Sequence, residues 1–360
     1  MTNGNTVRSE DVVELKVGQE ALNLISAENF LCQWETLYHT CPWSTIFQRQ
    51  DFVIAWYKMY TEKYIPIVVI GKPSENLNGL LLMAKSTEGR TITGAGAHHA
   101  EYHGWLAPHD DNNEFIKAAF QAIQLRFPHS TLIFKYLPPN TPVGWLRSDT
   151  VLRRRAYFRT MSQPFVDIDE TTFEKKLNEK KPRSKVNNLR KQGDLQFEKI
   201  TSRERLESLF KEIILQYEFR KVAMYNRRPF AEDPLLKDFL LALFDKGIVH
   251  VTVLLLNGKI VASKITTVEG NAGYLKGVIT QSPLYLKQSP GVLHFLMMAR
   301  LLAQEGVARF DLTPGGDAYK DQLATGHGEV YHLWIANNFQ THAKIAVAEQ
   351  LKELFRRILV

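Results

Sequence analysis

The sequence predicts an α+β fold made of two tandem domains, each a mixed, mostly antiparallel sheet flanked by helices. Three observations carry that expectation. Apolar residues recur at helical spacing in both halves, at Phe30, Leu31, Trp34, Leu37 and Tyr38 and again at Leu206, Leu209, Phe210, Ile213, Ile214 and Tyr217. Each of these helices precedes a series of strand-like runs punctuated by turns, Asn257-Gly258 foremost. Each series ends in a further helix and one last strand. The order helix, antiparallel strands, helix, strand therefore occurs twice, as in a diverged internal duplication.

The elements follow in order. Ser26 is placed to cap the first helix. The first half then offers "YIPIVVIG" from 64 to 71, "LNGLLLMAKS" from 77 to 86 and "RTITGAG" from 90 to 96 as strands. The helix "NEFIKAAFQAIQLRF" and the strand "STLIFKYL" complete it. Thr171 with Glu174 has the pattern of a capping box, and Pro182 is expected to break the helix that follows and to open the next at its first position. That second helix runs to about Lys191 and is closed by Gly193. Thr201 with Glu204 repeats the capping-box pattern ahead of the second half. There the strands of "IVHVTVLLLNGKIVASKITTVEGNAGYLKGVIT" turn at Asn257-Gly258 and at Glu269-Gly270-Asn271. A helix from Val292 to about Gln304, stopped by Gly306, leads into the strand "ARFDLT". From Thr341 onward, Ile345, Ala348, Leu351, Phe355 and Ile358 mark an amphipathic helix that packs. Trp56 and Tyr57 are expected in the core. The 360 residues fit two domains, with boundaries at 1–165 and 201–360 and a basic helical bridge over 166–200.

Composition narrows the class. With 44% hydrophobic and 23% charged residues the chain has the make-up of a globular protein. No apolar run approaches the roughly 20 residues that span a bilayer. The polar start, MTNGNTVRSEDVVELK, has no apolar signal core, and Cys32 and Cys41 make no metal pattern, so the expected setting is reduced and cytoplasmic. The net charge of +7 is concentrated in Arg153-Arg154-Arg155 and in the lysines and arginines between 175 and 191. Arg183, Asn187 and Arg190 share one helix face, which is either a solvated basic surface or an anion site for phosphates. Aromatic residues do not interleave with these charges, which speaks against general nucleic-acid binding.

Two further stretches carry chemistry. In Lys287-Gln288-Ser289-Pro290-Gly291, Ser289 is a good N-cap, Pro290 suits the first helical position and Gly291 permits close approach. The segment is either a simple capped helix or an anion site at a helix N-terminus that takes a pyrophosphate. In "FDLTPGGDAYK", a strand runs into a turn that gathers Asp317, Tyr319 and Lys320. The first half offers "GAGAHHAEYHGW" instead, in which His98, His99 and His103 lack an acid or cysteine at ligand spacing, so no metal is expected.

Over about residues 25 to 340 the chain resembles the GNAT acyltransferase superfamily, and more closely its two-domain, CelD-like branch associated with cellulose and polysaccharide biosynthesis. The resemblance rests on "LRKQGDLQFEKITS", on "LLLNGKIVASKI" and on "SPGVLHFLMMARLLAQEGVARFDLTPGGDAYKDQLA". It implies a tandem GNAT fold whose first domain is degenerate. The loop before the Val292 helix would hold the pyrophosphate of acetyl-CoA or another acyl-CoA, the co-substrate, through Gln288, Ser289 and Gly291. The strand after that helix would splay from its neighbour to admit the thioester. Backbone N–H groups at Lys276, Gly277 and Val278 would stabilise the oxyanion. Tyr319 would protonate the departing thiolate, Asp311 would orient the acceptor or take its proton, and Lys320 would neutralise a phosphate or a carboxylate. Glu101, Tyr102 and His103 would line the acceptor side. The acceptor is then an amine or hydroxyl, on a small molecule or on a sugar or cell-envelope precursor. Two other functions fit the same residues: a Fem-like aminoacyltransferase drawing on aminoacyl-tRNA, the one reading that brings in nucleic acid, and a catalytically silent binding module.

Overall fold

The computed structural model of the chain describes residues 12–71, 76–108, 113–315 and 318–358. Gly316 and Asp317 of the strand-end turn lie outside the described residues. Among the described residues the elements run β1 (Val13–Val17), α1 (Gln19–Leu24), α2 (Glu28–Thr40), α3 (Gln50–Met59), β2 (Tyr64–Gly71), β3 (Leu80–Ser86), β4 (Thr91–Gly94), β5 (Trp105–Leu106), α4 (Glu114–Arg126), β6 (Thr131–Leu137), α5 (Trp145–Ser148), α6 (Thr150–Arg155) and β7 (Ala156–Asp167). They continue with α7 (Glu170–Asn178), α8 (Lys180–Arg190), β8 (Leu195–Ile200), α9 (Arg203–Tyr225), α10 (Pro229–Glu232), α11 (Leu236–Asp245), β9 (Val249–Leu256), β10 (Lys259–Glu269), β11 (Ala272–Gln281), α12 (Pro290–Gln304), β12 (Arg309–Asp311), α13 (Ala318–Leu323), β13 (Gly326–Ile335) and α14 (Phe339–Ile358).

The chain forms two compact units, one of residues 1–162 with 329–360 and the other of residues 163–328. These differ from the expected boundaries of 1–165, 166–200 and 201–360. The segment 166–200 belongs wholly to unit 2, and the last 32 residues, 329–360, return to unit 1. Strand pairing is the reason. The end of β13 pairs antiparallel with β6 in unit 1, through Tyr331↔Leu137 to Ile335↔Leu132, and the end of β7 pairs antiparallel with β12 in unit 2.

Within unit 1 the strands pair in the order β1-β2-β3-β4-β6-β13. Within unit 2 they pair in the order β8-β9-β10-β11-β12-β7. Each series is antiparallel except at one parallel step, β4 with β6 and β11 with β12. A helix, α4 or α12, supplies the crossover at each parallel step, as parallel pairs require. The expected α+β architecture with mixed, mostly antiparallel sheets is the one observed.

Local sequence explains most elements. β9, VHVTVLLL, is buried at every position, as a continuous apolar run dictates for a strand covered on both faces. Asn257 and Gly258 both take positive φ, 51° and 73°, which gives the tight hairpin between β9 and β10. α2 buries Phe30, Trp34, Leu37 and Tyr38 along one stripe, and Trp56 and Tyr57 of α3 are fully buried. The caps shift by a residue or two from expectation. Ala27 precedes α2 without a side-chain bond, while Ser26 donates back to the Leu22 carbonyl. Asp169, not Thr171, caps α7, and Ser202, not Thr201, caps α9. The break between α7 and α8 falls at Glu179, so Pro182 sits inside the first turn of α8, where a missing N–H is tolerated. In unit 1 Arg155, the last of the arginine triplet, donates to the carbonyls of Ala336 and Asn337.

Candidate active site

Unit 2 contains the expected splay. β11 and β12 pair at Ala272↔Arg309, Gly273↔Phe310 and Tyr274↔Asp311 and then part. β11 continues to Gln281, whereas the chain beyond Asp311 turns away, with Leu312 N–H bonded to the Pro164 carbonyl. The parting leaves a cavity of about 200 Å³. Leu275, Ile279, Phe295 and Leu312 make it largely apolar, and Gly291 and Tyr319 also line it.

The edge that β12 vacates is bent. The β10–β11 register shifts between Thr266 and Thr267, which places a bulge at Leu275 and Lys276. Gly277 takes φ 150°, and a Cβ there would stand 1.9 Å from the Ile265 carbonyl oxygen. Only glycine fits. Lys276, Gly277 and Val278 therefore lie on the splayed part of β11, as expected. The Ile279 carbonyl, further along, accepts from Arg220 Nη1 of α9 at 2.9 Å.

At the start of α12 Ser289 occupies the N-cap position but makes no capping bond. Its φ is 50°, and its hydroxyl accepts instead from Lys185 Nζ of α8 at 2.7 Å. Pro290 has no N–H, and Gly291 N–H has no bonded carbonyl among the described residues. A side chain at 291 would meet Gln281 Oε1 at 2.7 Å. The basic helix thus reaches the loop through Lys185. Gln288 closes the 3₁₀ turn Pro283–Gln288 that precedes it. Arg183, Asn187 and Arg190 line one groove together with Phe197, Met297 and Arg300, so the shared helix face is real.

The residues gathered by the strand-end turn divide between two tasks. Tyr319 on α13 is 40% exposed and lines the cavity. Asp311 and Lys320 are buried and turn inward. Asp311 Oδ2 accepts from Gln163 Nε2 and its Oδ1 from Thr313 N–H, each at 2.6 Å. Lys320 Nζ donates to the Thr313 carbonyl at 3.0 Å and to Thr313 Oγ1 at 3.3 Å. Thr313 has φ 62°, an unfavourable conformation for a β-branched residue, and these bonds hold it there. Asp311 and Lys320 clamp the turn that presents Tyr319; neither lines the cavity, which differs from the expected contact with acceptor or phosphate.

Glu101, Tyr102 and His103 fall in unit 1 and are buried there. Glu101 is paired with Lys135 Nζ at 2.7 Å. Tyr102 packs on Phe47. His103 Nδ1 accepts from Lys135 N–H at 3.1 Å and Nε2 donates to the Ala97 carbonyl at 2.9 Å, which fixes the neutral tautomer. Glu101, Tyr102 and His103 were expected to line a cleft, but their side chains are buried and bonded or packed within unit 1.

Sequence reasoning missed two cavity residues, Lys264 and Arg220. Lys264, on β10, is 5% exposed, and its Nζ stands 5.6 Å from the centre of the Phe295 ring. Burial, with the nearby Arg220 charge adding to it, pushes its pKa down to about 7. His294, fully buried and bonded to the Thr252 carbonyl at 3.0 Å, is held well below the ordinary histidine range by desolvation and by the Lys264 charge. The signal for Lys264 was present, since a lone lysine interrupts the apolar and β-branched run VASKITTV.

Residues 178–321 match the sequence model of the acetyltransferase (GNAT) domain family. No curated protein sequence matches the chain. Among solved structures the chain is similar to FemX, at 11% identity and TM-score 0.57 over 85% of this chain and 96% of that one. It is similar to the C-terminal domain of a putative lysylphosphatidylglycerol synthetase from Agrobacterium fabrum, at 15% identity and TM-score 0.54 over 89% and 95%. It is also similar to a tandem GNAT protein from the clavulanic acid biosynthesis pathway, at 13% identity and TM-score 0.52 over 90% and 98%. At these identities the likeness is one of fold. The family match covers residues 178–321, and an acyltransferase is the activity it supports.

Proposed function

We propose that unit 2 transfers an acyl group, acetyl in the simplest case, from acyl-CoA to an amine or hydroxyl acceptor such as a sugar or cell-envelope precursor. The observation that carries this is the parting of β11 from β12 directly beside the start of α12. The thioester enters the gap. The pyrophosphate meets the Gly291 N–H at the positive end of α12, with Lys185 next to it. Arg183 and Arg190, with Arg300, offer charge to a further phosphate-bearing group, and Asn187 offers it an amide donor.

The acceptor's lone pair attacks the thioester carbonyl carbon. Negative charge gathers on the carbonyl oxygen, where N–H groups of Lys276 to Val278 on the vacated edge stabilise it. As the tetrahedral intermediate collapses, the C–S bond breaks and the sulfur leaves as a thiolate. Tyr319, presented at the cavity by the clamped turn, gives it a proton. The acceptor's proton leaves to solvent or to a nearby base. Asp311 acts here by holding the Thr313 turn.

Calorimetric titration with acetyl-CoA tests the donor. One site per chain is expected, with binding lost in Gly291→Glu and weakened, with a shallower salt dependence, in Arg183→Ala/Arg190→Ala. Two sites per chain, or undiminished binding in Gly291→Glu, would overturn the assignment. Binding of aminoacyl-tRNA in place of acetyl-CoA would transfer the donor role to that class and give the basic groove the tRNA phosphates.

A further inference from the structure

We propose that the cavity of unit 2 is a receptor for a carboxylate carried by the acyl group, held between Lys264 and Arg220. This deepens the acyl-CoA reading and rests on it. The preferred donor is then the CoA thioester of a short dicarboxylic acid rather than acetyl-CoA.

The argument begins with charge. Two cationic side chains line one mostly apolar cavity. Arg220 comes from α9 and Lys264 from β10, and the two are close enough for one to depress the ionisation of the other. Neither has a carboxylate partner among the described residues. Among the described residues Arg220 bonds the Ile279 carbonyl, and Lys264 Nζ has no hydrogen-bond acceptor, its contact being the Phe295 ring. A buried charge without a partner is costly, and a leucine or methionine would fill the same space without that penalty. The other titratable groups on the elements packed around Lys264 do not supply an anion. His294 of α12 is neutral, Tyr319 is a phenol, Lys320 is spent on Thr313, and Asp311 of β12 is engaged by Gln163 and Thr313. The arrangement lacks one component, an anion that fits among Phe295, Leu275 and Ile279.

The anion belongs to the acyl group for a geometric reason. Gly291 and Tyr319, which flank the thioester in the proposed reaction, line the same cavity as Lys264 and Arg220. At about 200 Å³ it has room for a short acyl chain. A carboxylate at the far end of that chain meets both cations after leaving water. Its arrival favours the charged ammonium, so binding draws a proton onto Lys264 at any pH where the free amine is largely neutral.

Calorimetry on the full chain with succinyl-CoA and acetyl-CoA tests this. At pH 8 succinyl-CoA is expected to bind at least about tenfold more tightly, as for a close buried charge pair. Titrations in two buffers of different ionisation enthalpy should show uptake approaching about one proton at pH 8 and little at pH 6, where Lys264 is already charged. Lys264→Met should abolish both the uptake and the preference. Competitive labelling by acetic anhydride, read at Lys264 by mass spectrometry, gives its titration directly. Free succinate at high concentration should move the midpoint upward, a readout that does not depend on the CoA reading. Equal affinity for the two thioesters, a preference that survives Lys264→Met, or a Lys264 titration indifferent to succinate would overturn the proposal. If glycine moves that titration and succinyl-CoA does not, the carboxylate is the acceptor's and the assignment to the acyl group falls. If neither thioester binds while succinate still shifts Lys264, it is the acyl-CoA reading that has failed.

Discussion

The two units contain the same ladder and treat its end differently. In unit 1, β4 and β6 pair in parallel through Thr91↔Thr131, Ile92↔Leu132 and Thr93↔Ile133. In unit 2, β11 and β12 pair in parallel through three residues each, ending at Tyr274↔Asp311. Beyond that point unit 1 fills the gap with its own chain. His103 N–H bonds the Tyr136 carbonyl at 2.7 Å, its ring accepts from Lys135 N–H, and a Cβ on Gly94 would stand 2.4 Å from that ring. Unit 2 sends the corresponding connection, Pro283–Gln288, outward with Leu284 and Leu286 exposed, and the gap stays open as a cavity. The buried polar side chains that close the gap in unit 1 are hydrogen-bonded within that unit, whereas Lys264 in unit 2 finds no acceptor among the described residues. A splayed parallel pair is therefore a site only where the strand-to-helix connection stays out of it.

The sharpest way to break this comparison is Tyr319→Phe, which keeps the ring and removes the proton donor at the open gap. It should lower kcat by about 10²- to 10⁴-fold while acyl-CoA affinity stays within a few-fold. Full turnover in this variant would make Tyr319 a packing residue and leave the cavity without its acid.

A smaller effect, of a different kind, is expected from His103→Ala in unit 1. It removes the ring's hydrogen bonds to the Ala97 carbonyl, Lys135 N–H and Thr93 Oγ1 and opens a void where the gap was filled, so stability should fall by about 2–4 kcal/mol in denaturant unfolding. The KM for acceptor should not move. A selective rise in acceptor KM without loss of stability would return His103, with Glu101 and Tyr102, to the acceptor side.

The gentlest test reads Lys264 through pH. Its pKa is about 7 in the folded chain, below the ordinary lysine value of 10.5. Between those values the unfolded chain binds the extra proton, so stability rises with pH, and the burial penalty is complete below about pH 7. Lys264→Met should accordingly be more stable than the parent at pH 7, and that advantage should shrink by about 2 kcal/mol by pH 9. An advantage independent of pH would mean that Lys264 is not ionising in its buried place.

Local patterns carried the fold a long way. "YIPIVVIG" forms β2 over Tyr64–Gly71, the residues expected, because a β-branched apolar run between turns has few other ways to bury itself. Asn257-Gly258 turns as expected because positive φ suits those residues. β1, β5, β7, β8 and β13 were not anticipated. β7 mixes polar and apolar side chains without a clean alternation through AYFRTMSQPFVD after an arginine triplet, and nothing local says which strand will pair with it. Of the candidate site residues, the segment 276–278, Gly291 and Tyr319 could be singled out because a turn, a bulge or a helix start leaves a trace in neighbouring residues. Lys264 and Arg220 were missed because 44 positions and three intervening elements, α10, α11 and β9, separate them.

By itself the sequence determined the repeated helix, strands, helix, strand series of each half, the hairpins, the glycine of the splayed edge and the presence of acid, phenol and amine on one turn. These are matters of period, propensity and steric permission, all settled within a few residues. Only the tertiary structure decided what the polar groups do. It turned Asp311 and Lys320 inward to hold Thr313, left Tyr319 at the cavity, folded His103 into one gap and left the other open above Lys264. The reason is that a side chain's chemistry depends on whether a partner from a distant part of the chain reaches it. The pairing of strands across hundreds of residues settles that, and no local pattern encodes it.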